Sequence, residues 1–327
     1  MKIKMKSIGY IVPYFGKLPK GFELWLVGCK TNPSIDWILI TNDKTQYDYP
    51  SNVKVHYCEF EEVKTRIQNH FDFEVSINTP WTLSFFKPAY GEIFRKELEK
   101  YDFWGHCDID VLWGNIRKFI TEDVLDKYDR IGFQGHSLLY RNTQEVNSRY
   151  KTMSENFITY KDVFSGKVRY SFDENGMDTI YEYLGIDYFK EICFAHLRKY
   201  EYNFSMRFVP KDEEYKNKNQ VFEWKDGTLN RVFIHNNELK KEEYMYLHFF
   251  CRPMTYKEKA HTPTSRYIIY PDVVKDFSEE LSVSYVKRKS KKRKIRFFVK
   301  SIWMNRNKLT IEKINGNIQR FIKYKFK

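Results

Sequence analysis

Three short apolar runs near the start of the chain, residues 7–14 (SIGYIVPY), 36–41 (DWILIT) and 53–57 (VKVHY), are separated by stretches with helical spacing. This alternation limits the available folds more than any other feature. Each run has strand length and carries β-branched and aromatic residues. Residues 21–29 and 59–71 read as helices. Residues 88–100 predict another, with Pro88 in its first turn and Ile93, Phe94 and Leu98 on one face. Strands alternating with helices of this length build a mostly parallel sheet covered on both faces, so the expected class is α/β.

Farther along, residues 101–107 predict a strand that runs into Asp108 and is followed by a turn at Gly114. Residues 130–133 (RIGF) predict another strand, and residues 143–164 and 173–184 read as helical, the second after a turn at Asn175 and Gly176. Residues 211–219 are charged and predict a loop. Residues 221–224 and 231–234 flank Asp226 and Gly227, a hairpin signal. Residues 244–250 (YMYLHFF) read as the last strand of the body. No internal repeat is present.

A chain of 327 residues with 42% hydrophobic content can bury a large core. The five cysteines are scattered without a C-x-x-C pair, which argues against a disulfide framework or zinc knuckle and for a reducing compartment. Pro13 and Gly16 interrupt the N-terminal apolar run before signal-peptide length. No apolar run approaches the roughly 18 residues of a membrane span. The net charge of +13 suggests nucleic acid until it is mapped: residues 287–327 hold 16 Lys/Arg and one acid, Glu312, leaving the rest with 40 Lys/Arg and 42 Asp/Glu. A near-neutral body carries a basic tail.

The residues richest in chemistry lie in FWGHCDIDVLWGNIR, residues 103–117. Asp108 and Asp110, flanking Ile109, stand two apart at a strand end and so project to the same side. Hard oxygen ligands at the carboxyl edge of a parallel sheet suit Mg²⁺ or Mn²⁺, and open α/β sheets bind ligands at that edge. A divalent ion there would stabilise charge building on a diphosphate leaving group. Gly105 and Gly114 would let the backbone approach a ligand. Two acids can also simply open a solvated loop. D-x-D-x-V is similar, too, to the nucleophile motif of haloacid-dehalogenase-type phosphatases, with Asp108 as nucleophile, although that motif usually lies on the first strand.

The order YIVPYFG, WILITND, FFKPAYGEIF, FWGHCDIDVLWGNIRKF, GFQGHSLLYRN and EYMYLHFFCR resembles bacterial GT-A glycosyltransferases of capsule and lipopolysaccharide loci over about residues 6–256. The resemblance implies a GT-A-like, Rossmann-like sheet and a nucleoside-diphosphate-sugar donor, UDP-linked. It implies that Val12, Pro13 and Tyr14 hold the base and that Thr41, Asn42 and Asp43 reach the base or ribose. It also implies that His248 completes the metal site with Asp108 and Asp110, a ligand set compatible with Mn²⁺. A core histidine with one hydrogen bond would explain His248 equally simply.

Further candidates surround this motif. Arg252 can reach a phosphate, or be a surface charge. Lys87, beside a predicted helix start, suits diphosphate neutralisation. Gln134, Gly135, His136 and Asn142 in GFQGHSLLYRN offer groups suited to sugar hydroxyls, or form a structural turn. Asp173 and Glu174 in SFDENGMD can supply the carboxylate base that an inverting transferase needs, or cap a helix.

The tail begins KRKSKKRK and continues through IRFFVKSIW and IQRFIKYKFK, mixing bulky apolar with basic residues. That pattern fits an interfacial segment on anionic lipid. The reading is therefore one GT-A domain over residues 1–280 and a basic membrane-associating tail over 281–327. The chain would glycosylate a lipid-linked or growing surface glycan at the cytoplasmic face of the inner membrane, with no nucleic-acid partner. The competing classes are the phosphatase and a non-enzymatic basic adaptor for membrane or nucleic acid.

Overall fold

A computed structural model describes residues 5–198, 205–209, 213, 218–259 and 261–291. The first half supplies strands β1 (Ile8–Pro13), β2 (Ile35–Thr41), β3 (Val53–Tyr57), β4 (Phe103–Cys107), β5 (Val111–Trp113), β6 (Arg130–Ile131) and β7 (Ser137–Arg141). The largest sheet of this half runs β3-β2-β1-β4-β7-β6. Its first four strands are mutually parallel, while β7 and β6 join antiparallel. The α/β expectation holds, with a parallel core and an antiparallel edge.

Alternation along the strands explains why both faces are covered. Ile11, Ile38, Ile40, Trp104, Leu138 and Tyr140 pack on one side with Val63 and Ile67 from the helix Phe60–His70. Ile8, Tyr10, Val12, Trp37, Leu39 and Phe103 pack on the other with Phe22, Trp25 and Leu26 from the helix Phe22–Lys30. Each such side chain contributes about 1.5–3 kcal/mol on burial, and the parallel sheet is dry on both sides as that class requires.

The second half adds β8 (Ala195–His196), β9 (Gln220–Lys225), β10 (Thr228–His235), β11 (Glu238–Tyr244), β12 (Tyr246–His248), β13 (Thr255–Tyr256), β14 (Arg266–Tyr270) and β15 (Val273–Asp276). A six-stranded sheet runs β11-β10-β9-β14-β15-β13 and is antiparallel except at β13–β15. The β9–β10 turn at Asp226 and Gly227, both at positive φ, is the hairpin that the sequence predicts. A small sheet, β5-β12-β8, ties the halves together.

Several expectations change. Residues 88–100 do not form one helix: a 3₁₀ helix spans Pro80–Ala89, with Pro88 inside it, and short helices Tyr90–Ile93 and Arg95–Leu98 follow. Leu83, Phe86 and Ala89 are its buried residues at three-residue spacing, matching the 3₁₀ repeat and favouring it over an α-helix. Residues 143–164 are likewise broken, into Gln144–Ser148, Arg149–Lys151 and Tyr160–Phe164. Residues 244–250 are not the last strand, since β13, β14 and β15 follow.

The helix Val283–Lys291, which begins inside the expected tail, seats Tyr285 and Val286 against Val221, Val232, Ile268 and Tyr270 of the antiparallel sheet. The folded body therefore extends past residue 280. The tail from residue 292 onward, and most of the loop expected at 211–219, lie outside the described residues. Among the described residues, no helix is long and apolar enough to cross a membrane.

Candidate functional site

The site lies where β4 ends. Asp108 and Asp110 follow β4, and β5 begins at Val111. β5 pairs antiparallel with β12 so that Val111 stands opposite His248, returning the late histidine to the early carboxylates. β12 in turn pairs parallel with β8, with His248 beside His196. The three-stranded sheet thus serves as the frame on which the site is assembled.

Asp108, Asp110 and His248 offer one ligand atom each, all within 4.8 Å of one another. His248 Nε2 is 3.3 Å from Asp110 Oδ1 and 3.7 Å from Asp108 Oδ2. The Asp110 carboxylate is fixed from behind: its Oδ2 accepts from the Cys251 backbone N–H at 2.6 Å. That contact depends on consecutive positive φ angles at Phe250 and Cys251, a costly arrangement for residues with side chains. Burial pushes the Asp110 carboxyl up, but His248 and the Cys251 N–H overcome it and hold it at about 2. Two carboxylate oxygens and an imidazole nitrogen suit Mn²⁺ or Mg²⁺, so these residues fit the expected ion.

Lys87 closes the other side. Its Nζ donates to Asp108 Oδ1 at 2.8 Å and to the Gly135 carbonyl at 2.7 Å, and lies 3.7 Å from Asp173 Oδ2. It stands near the C-terminal end of the 3₁₀ helix, so the helix-start argument for it fails. What holds it is carboxylate: burial opposes its charge, but Asp108 and Asp173 keep it protonated. Asp173 and Glu174 sit in a π-helical turn, Phe172–Gly176, a form that recurs at functional sites. Asp173 is raised to about 6 by burial, against Lys87, with Glu174 and Asp108 adding to the rise. Glu174 Oε1 accepts from the Gly135 N–H at 2.9 Å. A Cβ on Gly135 would lie 2.1 Å from Asp173 Oδ2, so the turn needs glycine there for Asp173 to approach.

The remaining predicted residues divide. Val12, Pro13 and Tyr14 end the first strand and its loop, and the Tyr14 N–H donates to the Ile40 carbonyl at 2.8 Å. Thr41 is buried at the end of β2. Asn42 and Asp43 accept from the backbone N–H groups of Gly16 and Leu18, which fixes the loop after β1. Ile109 turns its side chain into the core and offers no polar atom from it. Gln134 lies beside Gly135, its Nε2 donating to the Phe133 carbonyl at 3.4 Å.

Four expectations are corrected. His136 is 2% exposed and hydrogen-bonded to His196 and Tyr246, so it does not meet a sugar. Asn142 donates to the carbonyls of Leu98 and Tyr101 and braces the chain before β4. Arg252 is buried, with Nε on the Pro271 carbonyl and Nη1 on that of Arg198, which commits both to the backbone. Gly105 and Gly114 are small because Leu138 and Tyr244 carbonyls crowd them, not to admit a ligand. Sequence reasoning missed His196 and Arg207. The two-residue strand carrying His196 has no periodicity to reveal it; a third histidine among only 8 was the available hint.

A family model described as a family of unknown function, DUF6625, matches residues 10–278. The chain belongs to this family. No curated protein matches this DUF6625 member. Among solved structures it is similar to a galactosyltransferase, LgtC, in complex with donor and acceptor sugar analogs, at 11% identity and TM-score 0.37, covering 76% of this chain and 88% of that one. It is also similar to mouse xyloside xylosyltransferase 1 in its apo form, at 10% identity and TM-score 0.40, covering 75% and 98%. The apo glycosyltransferase GlyE of Streptococcus pneumoniae TIGR4 matches at 10% identity and TM-score 0.34, covering 57% of this chain and 45% of that one. At such identities and scores, what those proteins bind and transfer remains a property of those proteins.

Proposed function

We propose that this chain is a metal-dependent GT-A-type glycosyltransferase that moves a sugar from a nucleoside-diphosphate donor, UDP-linked, to a lipid-linked or growing bacterial surface glycan. The observation that carries this reading is the convergence of Asp108, Asp110 and His248 at the end of a parallel strand, beside a Lys87–Asp173 pair. Asp108 Oδ2, Asp110 Oδ1 and His248 Nε2 would hold Mn²⁺ or Mg²⁺. When bound, the ion supplies charge stabilisation to the departing diphosphate. The loop after β1, held by Asn42 and Asp43, would receive the nucleoside. Asp173, raised to about 6, is suited to take a proton from an acceptor hydroxyl near neutral pH. Lys87 holds Asp108 and Asp173 in register and opposes the rise at Asp173.

Acceptor delivery belongs to the same proposal. A basic, aromatic tail would dock on the anionic cytoplasmic face of the inner membrane, where lipid-linked glycans are built. Deleting residues 292–327 should release the protein from anionic phosphatidylglycerol liposomes while leaving nucleotide binding intact; equal liposome binding by the two proteins would exclude docking by the tail.

Thermal-shift measurement with UDP, GDP and their sugars, each with and without Mn²⁺, tests the central claim. A UDP-linked compound should raise Tm only when Mn²⁺ is present, and Asp110→Ala should abolish the rise. Metal-independent stabilisation, or retention of the rise in Asp110→Ala, would remove Asp110 from the site. Release of phosphate from monoesters through a phosphoenzyme on Asp108 would favour the phosphatase instead.

A further inference from the structure

On the side away from the carboxylates, His248 continues into a chain with two further buried histidines, His196 and His136. His196 Nδ1 is 3.0 Å from His136 Nε2 and 3.2 Å from His248 Nδ1. His136 Nδ1 is 2.8 Å from the Tyr246 hydroxyl. At the outer end, exposed Arg207 places Nη1 3.3 Å from His196 Nε2. The three rings are 2–4% exposed, so their partners are one another and these neighbours rather than bulk water.

A guanidinium only donates, and this fixes the hydrogens of the chain. Arg207 donates to His196 Nε2, so that nitrogen carries the lone pair and His196 Nδ1 carries the hydrogen. His196 Nδ1–H then faces His136 Nε2 and His248 Nδ1, both of which accept. His136 in consequence donates from Nδ1 to the Tyr246 oxygen. His248, accepting at Nδ1, carries its hydrogen on Nε2, where it meets Asp110 and Asp108. In this arrangement the nitrogen that faces the carboxylates has no lone pair for a metal.

We propose that Arg207 acts as a brake on metal binding, holding the buried histidine chain in the tautomers that keep a hydrogen on His248 Nε2. The inference rests on the proposed metal role of His248 and adds two positioning residues to it, His196 and Arg207. Ligation through His248 Nε2 requires the hydrogen at Nδ1, which must then donate to His196 Nδ1. His196 must in turn carry its hydrogen on Nε2, pointing at a group that also only donates. Metal entry and the Arg207 contact therefore exclude each other. The hydrogens relocate within the chain, and none is gained or lost overall. The partner of the distal nitrogen of a metal-bound histidine commonly changes affinity by about 10–100-fold. Here that partner works against the metal until Arg207 leaves.

Arg207→Met removes the donor, whereas Arg207→Lys keeps one. Titration with Mn²⁺ in the presence of UDP, read by the electron paramagnetic resonance of free Mn²⁺, should give about tenfold tighter binding in Arg207→Met and near wild-type binding in Arg207→Lys. Nitrogen-15 spectra of histidine-labelled, metal-free protein should show His196 protonated at Nδ1 and His248 at Nε2, and Arg207→Met should shift that population. Equal Mn²⁺ affinity in the wild type and Arg207→Met, or His196 protonated at Nε2 in the wild type, overturns the brake. Absence of Mn²⁺ binding in both proteins overturns the metal-dependent reading itself, and the brake with it.

Discussion

Two clusters of buried charge differ in one respect that separates structure from function. In the antiparallel sheet, Glu223, 4% exposed at its side chain, faces two cations: Lys241 at 2.8 Å and Arg266, whose Nε donates to it at 2.8 Å. At the end of β4, Lys87 faces Asp108 and Asp173, while Asp110 stands beside Asp108 and His248, and Glu174 accepts from the Gly135 N–H. The first cluster is complete. The second has an excess of acid that water cannot fully screen, held together by two positive φ angles and a π-helical turn. Sites that store strain and unmatched charge are where a ligand cation is expected.

The largest contrast comes from removing one acid in each cluster. Glu223→Ala leaves Arg266, 26% exposed at its side chain, without its carboxylate and should cost up to about 3 kcal/mol in stability, below the full penalty of a buried unpaired charge because Arg266 and Lys241, 53% exposed at its side chain, can rehydrate. Nucleotide binding should be unaffected. Asp108→Asn should do the reverse: little loss of stability in metal-free protein, but loss of several kcal/mol of transition-state stabilisation, more than about a hundredfold in rate. Chemical denaturation and initial-rate assays on the two variants decide the matter; a destabilised Asp108→Asn would make the acidic cluster structural too.

A second test uses pH. Burial raises Asp173 to about 6, with Lys87 opposing. If Asp173 is the base, activity should rise as pH increases through about 6, and Lys87→Met should move that limb to higher pH. The stability sign is opposite. A carboxyl raised on folding stabilises the protein below its unfolded value of 3.8, and that contribution is lost as pH rises through about 6. Asp173→Asn should therefore flatten the decline in stability over that window and be the more stable protein at neutral pH. An unchanged acid limb in Lys87→Met would separate the base from this pair.

The comparison also explains what the sequence could reveal. The parallel strands were legible because β1, β2 and β4 are nearly continuous apolar runs ending in polar residues, and Asp108 and Asp110 were legible as two acids at such an end. The antiparallel sheet was visible only at its Asp226–Gly227 turn, since Glu223 and Arg231 sit buried in strands where alternation predicts apolar residues. Lys87 was found for the wrong reason: Pro88 suggested a helix start, whereas a long 3₁₀ helix absorbs it. His196 became recognisable only through strand pairing, because the residues that give it meaning lie 60 and 52 positions away.

The smallest effect concerns Asn142, whose polar side chain invited a sugar-binding role. Its Nδ2 donates to the carbonyls of Leu98 and Tyr101 at 2.8 and 3.0 Å, and its Oδ1 accepts from Asn147 at 2.9 Å. Asn147 Oδ1 in turn accepts from Trp104 Nε1 at 2.6 Å. This network anchors the loop that feeds β4, one strand length from the carboxylates. Each bond contributes about 0.5–1.5 kcal/mol net and the side chain makes three, so Asn142→Ala should lower stability by at least about 1.5 kcal/mol. Its Mn²⁺-dependent response to UDP compounds should match the wild type, as should the KM for donor and acceptor. A raised acceptor KM with normal stability would return Asn142 to the site and extend the functional region along β7, away from the unmatched acids that now define it.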